Sequence, residues 1–427
     1  MIIERNMELN PAELRAFIKE HRDKVQSTNL PLRDIRVLDL GAVVAAPFAA
    51  AMLGDFGAEV IKIEPRETPD AIRFWNIVEQ KYQPYWLVHS RNKLPITLDL
   101  KHPKGQEVLR QLVKNSDVLL ENMRPRTLDR LGFSTAELWK LNPGLVIGRI
   151  SGYGQTGPYS SRPGFGTLAE SLSGFAYLNT HPGHTPTLPP MPLADMLTGI
   201  HLAFGVMVAL RGQKRGVSGG EEIDLSLYEP LLSFLSPEYL VYILSGEIPQ
   251  PFGNEQPFAV PRNNYQAKDG KWVALSGTAQ APFERIMDLV GHSELKTQPG
   301  FRNNAERISP ESRKVLNKVI GDWIRSKSRE EVIKECEKAG VTMGPVYNME
   351  DISKDPHVKE RGTIYEVLDP VTGKPLSFPA GPIRLRKTPA CIQYPGLPMG
   401  AANDYVLQNL LGYTAEEVAK MKEEKVI

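Results

Sequence analysis

The stretch "PPMPLADMLTGIHLAFGVMVAL", residues 189–210, sets one carboxylate, Asp195, at the mouth of a largely apolar run. Two chemistries suit that placement. An aspartate ahead of a helix accepts the free amides of the first turn as an N-cap. A poorly hydrated carboxylate kept ionised by helix amides can also attack an activated acyl group. Burial raises the pKa of such a group, whereas the positive end of the helix lowers it. The local sequence leaves both roles open.

Other constellations carry less. His181 and His184, in "HPGH", have no Asp, Glu or Cys at helical spacing to complete a ligand set, so a solvated loop explains them better than a metal. Ser151 and Ser173 each precede a glycine outside any G-x-S-x-G, which leaves a hydrolase elbow unsupported. "GAVVAAP", Gly41 to Pro47, joins a strand to a helix, and a second strand ends in Glu64, as in half of a dinucleotide-binding unit. The turn lacks the later glycines that let backbone approach a pyrophosphate, which argues against nicotinamide. Basic residues gather at the ends of the middle strands: Lys93, Lys101, Lys104, Arg124, Arg126 and Arg130. Open α/β sheets bind ligands at that edge, so the cluster is a candidate cradle for nucleotide-like phosphates, with ordinary surface charge as the competing explanation.

The elements that must position these groups follow from pattern. "IRVLDL" (35–40), "EVIKIE" (59–64), "LPITLDL" (94–100), "DVLLEN" (117–122) and "GLVIGRIS" (144–151) are short apolar strands, with helical stretches such as "PFAAAMLGDFG" (47–57) and "KGQEVLRQLVKN" (104–115) between them. That alternation predicts a parallel sheet covered on both faces. Residues 10–26 form an amphipathic helix, with Asn10 as its cap and Leu14, Phe17, Ile18 and Val25 on one face. It packs either on a partner or on its own domain. "GGEEIDLSLYE" (219–229) adds a strand and a helix start, and residues 245–263 read as a linker or active-site loop. "KDGKWVALSG" (268–277) is hairpin-like, helices follow at 281–291 and 310–339, and the tail ends in a polar helix.

Bulk properties bound the rest. A chain of 427 residues predicts two to three domains at roughly 150 residues each. Lys plus Arg number 51 against 50 Asp plus Glu, so no global field favours nucleic acid or membrane, and an anionic ligand needs a local basic site. The two cysteines, Cys336 and Cys391, have no metal-ligand spacing and suit a reducing compartment. The start "MIIERNMELN" lacks the apolar region of a signal peptide, and the run at 193–210 is interrupted by Asp195 and His201 and short for a bilayer span. The expectation is a cytoplasmic protein.

In order along the chain, "VLDLGAVVAAPFAAAMLGDFGAEVIKIE", "PITLDLKHPKG", "DVLLENMRPRTLDRLGF", "ISGYGQTGP", "LADMLTG", "GGEEIDLSLYE" and "GPVYNMEDISKDPHVKERGTI" resemble the motifs of the class III CoA-transferase family, from about residue 33 onwards. The resemblance implies an α/β fold: a large Rossmann-like domain whose parallel sheet is built from both chain ends, a smaller α+β middle domain, and an interlocked dimer. The corresponding boundaries are an N-terminal helical extension at 1–30, the large domain at 31–225, the small domain at 250–345, and a completing segment at 355–427. It also implies that Asp195 carries acyl and then CoA covalently. CoA contacts are implied for Val44, Ala45, Leu98, Lys101, Asn122, Met123, Arg124, Arg130, Ser151, Gly152 and Tyr153.

The implied activity moves CoA from an acyl-CoA, with succinyl-CoA as a candidate donor, to a carboxylic acid. CoA is then a substrate, no cofactor is permanently bound, no metal is needed, and the oligomer is a homodimer or a heterodimer with a homologous subunit. Two alternatives belong to the same neighbourhood. The 2-methylacyl-CoA racemases carry a Gly-His-Asp run whose His is the base, but Gly164, Phe165 and Gly166 stand at that place here. A non-catalytic subunit of a hetero-oligomer is the other, against which the retained Asp195 argues. Formyl-type relatives have four consecutive glycines where this chain reads "AVPRNNYQAKDG" (259–270), which disfavours formyl or oxalate specificity.

Overall fold

The computed structural model describes residues 11–379 and 381–427 and divides into two compact units. The larger comprises the chain up to Phe175, Leu188–Pro237 and Gly362–Ile427; the smaller comprises Ala176–Thr187 and Glu238–Arg361.

At the centre of the larger unit is a six-stranded sheet made of β1 (Arg36–Asp39), β2 (Glu59–Glu64), β3 (Lys93–Thr97), β4 (Val118–Glu121), β5 (Val146–Ser151) and β6 (Glu221–Ser226). Their order is β3-β2-β1-β4-β5-β6, and every pairing is parallel. Successive residues point to opposite faces, and both faces are covered. Leu38, Ile61, Leu94, Leu119 and Ile147 enter one core, whereas Val37, Val60, Val118, Leu120 and Val146 enter the other. The expected alternation of strand and helix is thus present, with β6 as a polar edge that resists further pairing.

Three expectations are corrected. The sheet is not assembled from both chain ends, because all six strands lie between Arg36 and Ser226. The C-terminal segment covers the sheet instead. It lends Leu397, Ala402, Val406, Val418 and Met421 to the first core. It also bonds along the outer edge of β3 without forming a strand there: Ala402 N donates to Pro95 O at 3.0 Å and Thr97 N to the Asn403 carboxamide at 2.9 Å. Its own strands, β10 (Ile364–Asp369) and β11 (Lys374–Pro379), pair only with each other.

The N-terminal helix α1 (Pro11–Ser27) is not a separate extension. Leu14 and Ile18 are buried in the core of the larger unit, and Arg15 donates to Asn409 and Gln408 at 2.9 and 2.8 Å. The choice between a partner and its own domain resolves to its own domain; the proposed cap, Asn10, lies outside the described residues.

The smaller unit is also wider than residues 250–345. It carries the antiparallel sheet β7 (Arg262–Gln266), β8 (Trp272–Ser276) and β9 (Met343–Pro345), packed on the helices Gln280–Leu289, Pro310–Arg325 and Arg329–Ala339. The stretch expected to be a linker is fastened to it, with Arg313 paired to Glu255 at 3.0 Å and Gly253 N donating to Thr180 O at 3.0 Å. Residues 355–361 belong here and not to the C-terminal segment.

The long helix Leu193–Lys214 runs four residues beyond the apolar stretch read from sequence, and by length and composition it could cross a membrane. Here one of its faces packs into the core of the larger unit. Ala194, Thr198, Gly199, Leu202, Ala203, Val206 and Ala209 are buried within the larger unit.

Candidate active site

The strand order reverses between β1 and β4, and the crevice outside the carboxyl ends of those strands is where open α/β sheets receive ligands. After β1 the chain makes the turn "LGAVVAAP" and enters helix α2 (Ala45–Asp55). Gly41 is required there, since a Cβ would stand 2.8 Å from both Ala46 and Pro47. Val43 adopts φ 64°, a left-handed conformation that strains a β-branched residue. Both Asp70 carboxylate oxygens accept the Val43 amide, at 3.0 and 3.1 Å, and hold it there. Asn122, just past β4, clamps the turn from the other side: its oxygen accepts Ala42 N and its nitrogen donates to Ala42 O, each at 2.7 Å.

Beneath the turn lies a buried ionic cluster. Lys93 pairs with Asp39 at 2.8 Å and donates to Pro47 O at 2.6 Å. Lys62 pairs with Asp70 at 3.3 Å and donates to Gly41 O. Glu64 takes two bonds from Arg73, at 2.9 and 2.6 Å. Burial pulls the Lys93 amine down to about 8 against the opposing pull of Asp39. One sequence reading falls with this geometry, and Glu64, at the end of β2, is occupied by Arg73. Lys93 cannot join a phosphate cradle, because it is fully buried and engaged.

The long helix brings Asp195 to the same crevice, but not as an N-cap. The helix begins at Leu193, so Asp195 is its third residue, and the cap position is Pro192, which has no side-chain bond to offer. The cap comes instead from Glu170 on the short helix Gly166–Leu172, whose Oε1 accepts Ala194 N at 3.2 Å. Gly166 on that same short helix has no room for a side chain, because a Cβ would lie 2.2 Å from Asp195 Oδ2. Gly199 lets the long helix approach α2, where a Cβ would be 2.7 Å from Ala45 O. Burial, then the nearby Glu170 charge, pushes the Asp195 carboxyl up to about 6, against a smaller lowering by its own backbone amide.

These pieces enclose a cavity of about 820 Å³. Of the residues singled out from sequence, Ala45, Asn122, Ser151, Gly152 and Asp195 line it. The Ser151 hydroxyl there is buried without a hydrogen-bond partner among the described residues. Val44 and Leu98 have fully buried side chains, so only their backbone could meet a ligand. Lys101, Arg124 and Arg130 are exposed near strand ends, while Met123 and Tyr153 are half-buried; none of these five lines the cavity. The remaining wall is largely apolar, with Trp75, Phe165 and Leu188 to Pro192, and among the described residues it includes no lysine or arginine.

Sequence reasoning missed Glu170, Gly166, Asp70 and Trp75. Glu170, Gly166 and Asp70 each act on a group distant in sequence, Trp75 lines the cavity wall, and no local pattern marks any of them. The described residues hold no cluster of three or more His, Cys, Asp or Glu able to bind a metal.

The structure thus sets a half-buried carboxylate in the wall of a cavity at the switch point of a doubly wound α/β sheet. The chain belongs to CoA-transferase family III, whose profile matches residues 32–403. It is 36% identical over 401 residues to the succinyl-CoA--L-malate CoA-transferase alpha subunit of Chloroflexus aurantiacus, covering 93% of each chain. The beta subunit of that name from the same species is 37% identical over 406 residues, covering 94% of this chain and 99% of the relative. A crystal structure of a CaiB/BaiF family protein from Brucella suis superposes with a TM-score of 0.79 at 27% identity, covering 90% of this chain and all of the other. CoA thioesters are therefore the substrate class of the family to which the chain belongs.

Proposed function

We propose that the protein transfers CoA from an acyl-CoA thioester to a carboxylic acid, with Asp195 as the nucleophile. One observation carries this reading: Asp195 is a half-buried carboxylate on a cavity wall with no cation among the described residues to neutralise it, its pKa pushed up to about 6. At neutral pH it is ionised yet poorly solvated, the state in which a carboxylate attacks best.

An Asp195 oxygen forms a bond to the acyl carbon, the C–S bond breaks, and its electron pair leaves on the CoA thiolate. The thiolate then attacks Asp195 Cγ and expels the donor acid as a carboxylate, leaving an aspartyl-CoA thioester. The acceptor carboxylate attacks that same carbon and releases thiolate, which finally takes the acceptor acyl group and frees Asp195. No proton, oxidant or metal enters the balance. Since one thioester replaces another, the protein must chiefly exclude water and stabilise oxyanions. The apolar wall of Trp75, Phe165 and Met191 serves the first need.

CoA follows the carboxyl edge of the sheet, meeting the backbone of Val44, Ala45 and Leu98, then Asn122, Met123, Ser151, Gly152 and Tyr153. The exposed Lys101, Arg124 and Arg130 pair with its phosphates. Succinyl-CoA is the proposed donor, with a dicarboxylic or aryl-substituted acid as acceptor; the names of the malate-enzyme relatives support the donor. The protein acts in the cytoplasm, in keeping with its two free cysteines.

It works as an interlocked dimer, with itself or with a homologous subunit. Large apolar side chains left in water support that assembly: Tyr239, Leu240, Ile243 and Leu244 on the helix Ser236–Ser245, which has no buried residue, and Ile200, Phe204 and Val208 on the long helix.

Replacement of Asp195 by Ala tests the function. The variant should lose transfer between succinyl-CoA and a panel of acids by more than about a thousandfold, and full activity would refute the assignment. Purified chain alone should transfer CoA and run as a dimer; activity only after addition of a homologous subunit would establish the heteromeric form.

A further inference from the structure

We infer that Glu170 is the positioning residue for Asp195: reaching across from the short helix, it takes the cap of the long helix and leaves the aspartate carboxylate free to attack. The inference rests on Asp195 being the nucleophile.

An aspartate in the first turn of a helix ordinarily turns back to bond the free amides, which stabilises it and lowers its reactivity. Here the first two amides are claimed from outside, and the Asp195 carboxylate keeps only the bond from its own amide. Glu170 Oε1 accepts Ala194 N at 3.2 Å, and its carboxylate is held by the Leu193 amide as well. Pro190 and Pro192 contribute no amide hydrogen just ahead of the helix. Gly166, four residues before Glu170 on the same short helix, gives Asp195 Oδ2 the space a side chain would fill. One short helix therefore fixes both the backbone beneath the nucleophile and the space around it.

Glu170 also supplies charge. The elements packed against the long helix carry few other ionisable groups near its start. Glu229 is engaged with Ser226 N at 3.2 Å, Asp224 with Gln155 N at 3.1 Å, and Arg149 lies between Glu121 and Glu222 at 3.2 and 2.7 Å. On α2, Asp55 is bound by Arg91, and on the long helix itself His201 faces Leu197 O. Among the described residues Glu170 alone contributes a charge that raises the Asp195 pKa, and it adds to the larger effect of burial. Asp195 must be ionised to attack, so wild-type activity should fall as pH drops through about 6.

The test compares wild type, Glu170→Gln and Glu170→Ala in transfer from succinyl-CoA or acetyl-CoA to whichever acid wild type accepts, with kcat and KM followed from pH 4.5 to 8 on folded protein. Gln keeps an oxygen for the Ala194 amide but removes the charge. Its acid limb should move to lower pH by roughly half a unit or more, with kcat at pH 8 within about threefold of wild type and KM unchanged. Ala removes both functions and should lower kcat at pH 8 by about tenfold or more, a loss that Gln largely rescues. An unshifted limb in Glu170→Gln, or a wild-type kcat in Glu170→Ala, would overturn the inference. If wild type itself forms no covalent adduct at Asp195, the functional reading fails and this inference with it; an adduct on wild type together with an unshifted limb in Glu170→Gln overturns this inference alone.

Discussion

Two groups of buried acids lie in the larger unit and meet opposite surroundings. Beneath the turn after β1, Asp39 and Asp70 each face a lysine, at 2.8 and 3.3 Å, and their other oxygen bonds brace backbone. At the head of the long helix, Asp195 and Glu170 face each other and, among the described residues, no cation, and burial raises both pKa values. Burial of a charge is tolerable when a partner offsets the lost hydration, and the first group uses that route to fix a strained turn. The second group leaves the penalty in place, which in the proposed function is what makes Asp195 reactive. A carboxylate's role in this fold is decided by its neighbours and not by its residue type.

Breaking the first group should damage the fold. Lys93→Met strands Asp39 as a buried, unpaired charge and should destabilise the protein by about 3–5 kcal/mol in denaturant titration. A loss below about 1 kcal/mol would mean the cluster is not structural.

Crowding the second group should damage activity and spare the fold. In Gly166→Ala the new methyl occupies the place of Asp195 Oδ2, 2.2 Å away, and must turn the carboxylate aside. Activity should fall about a hundredfold, as expected when a reacting group is displaced by an ångström.

Asp195→Asn sharpens the contrast, because its effect on stability should carry the opposite sign to that of Lys93→Met. The folded pKa of about 6 stands above the ordinary 3.8, so ionisation disfavours the folded state. That penalty is fully present above pH 6 and disappears below the unfolded pKa. At pH 7.5 the neutral variant should be more stable by about 1–3 kcal/mol, and at pH 3 it should match wild type.

Much of this was legible in the residues. Strands such as "EVIKIE" announce themselves because both faces are buried, and Asp195 stands out as a carboxylate beside an apolar run. What failed was non-local. Asp195 reads as an N-cap only while Glu170, 25 residues upstream, is unseen, and Lys93 reads as a phosphate ligand only until Asp39 is found against it. The C-terminal segment was expected to supply strands; it bonds β3 at scattered points and covers one face instead. Side chains that act on distant backbone leave no periodic mark in sequence.

The central claim is that Asp195 becomes covalently loaded. Wild type mixed with succinyl-CoA or acetyl-CoA, quenched in acid and digested, should yield the peptide containing Asp195 with an added acyl or CoA mass, absent from Asp195→Ala. Turnover by wild type with no modified Asp195 peptide, or the same adduct in the alanine variant, would contradict the account.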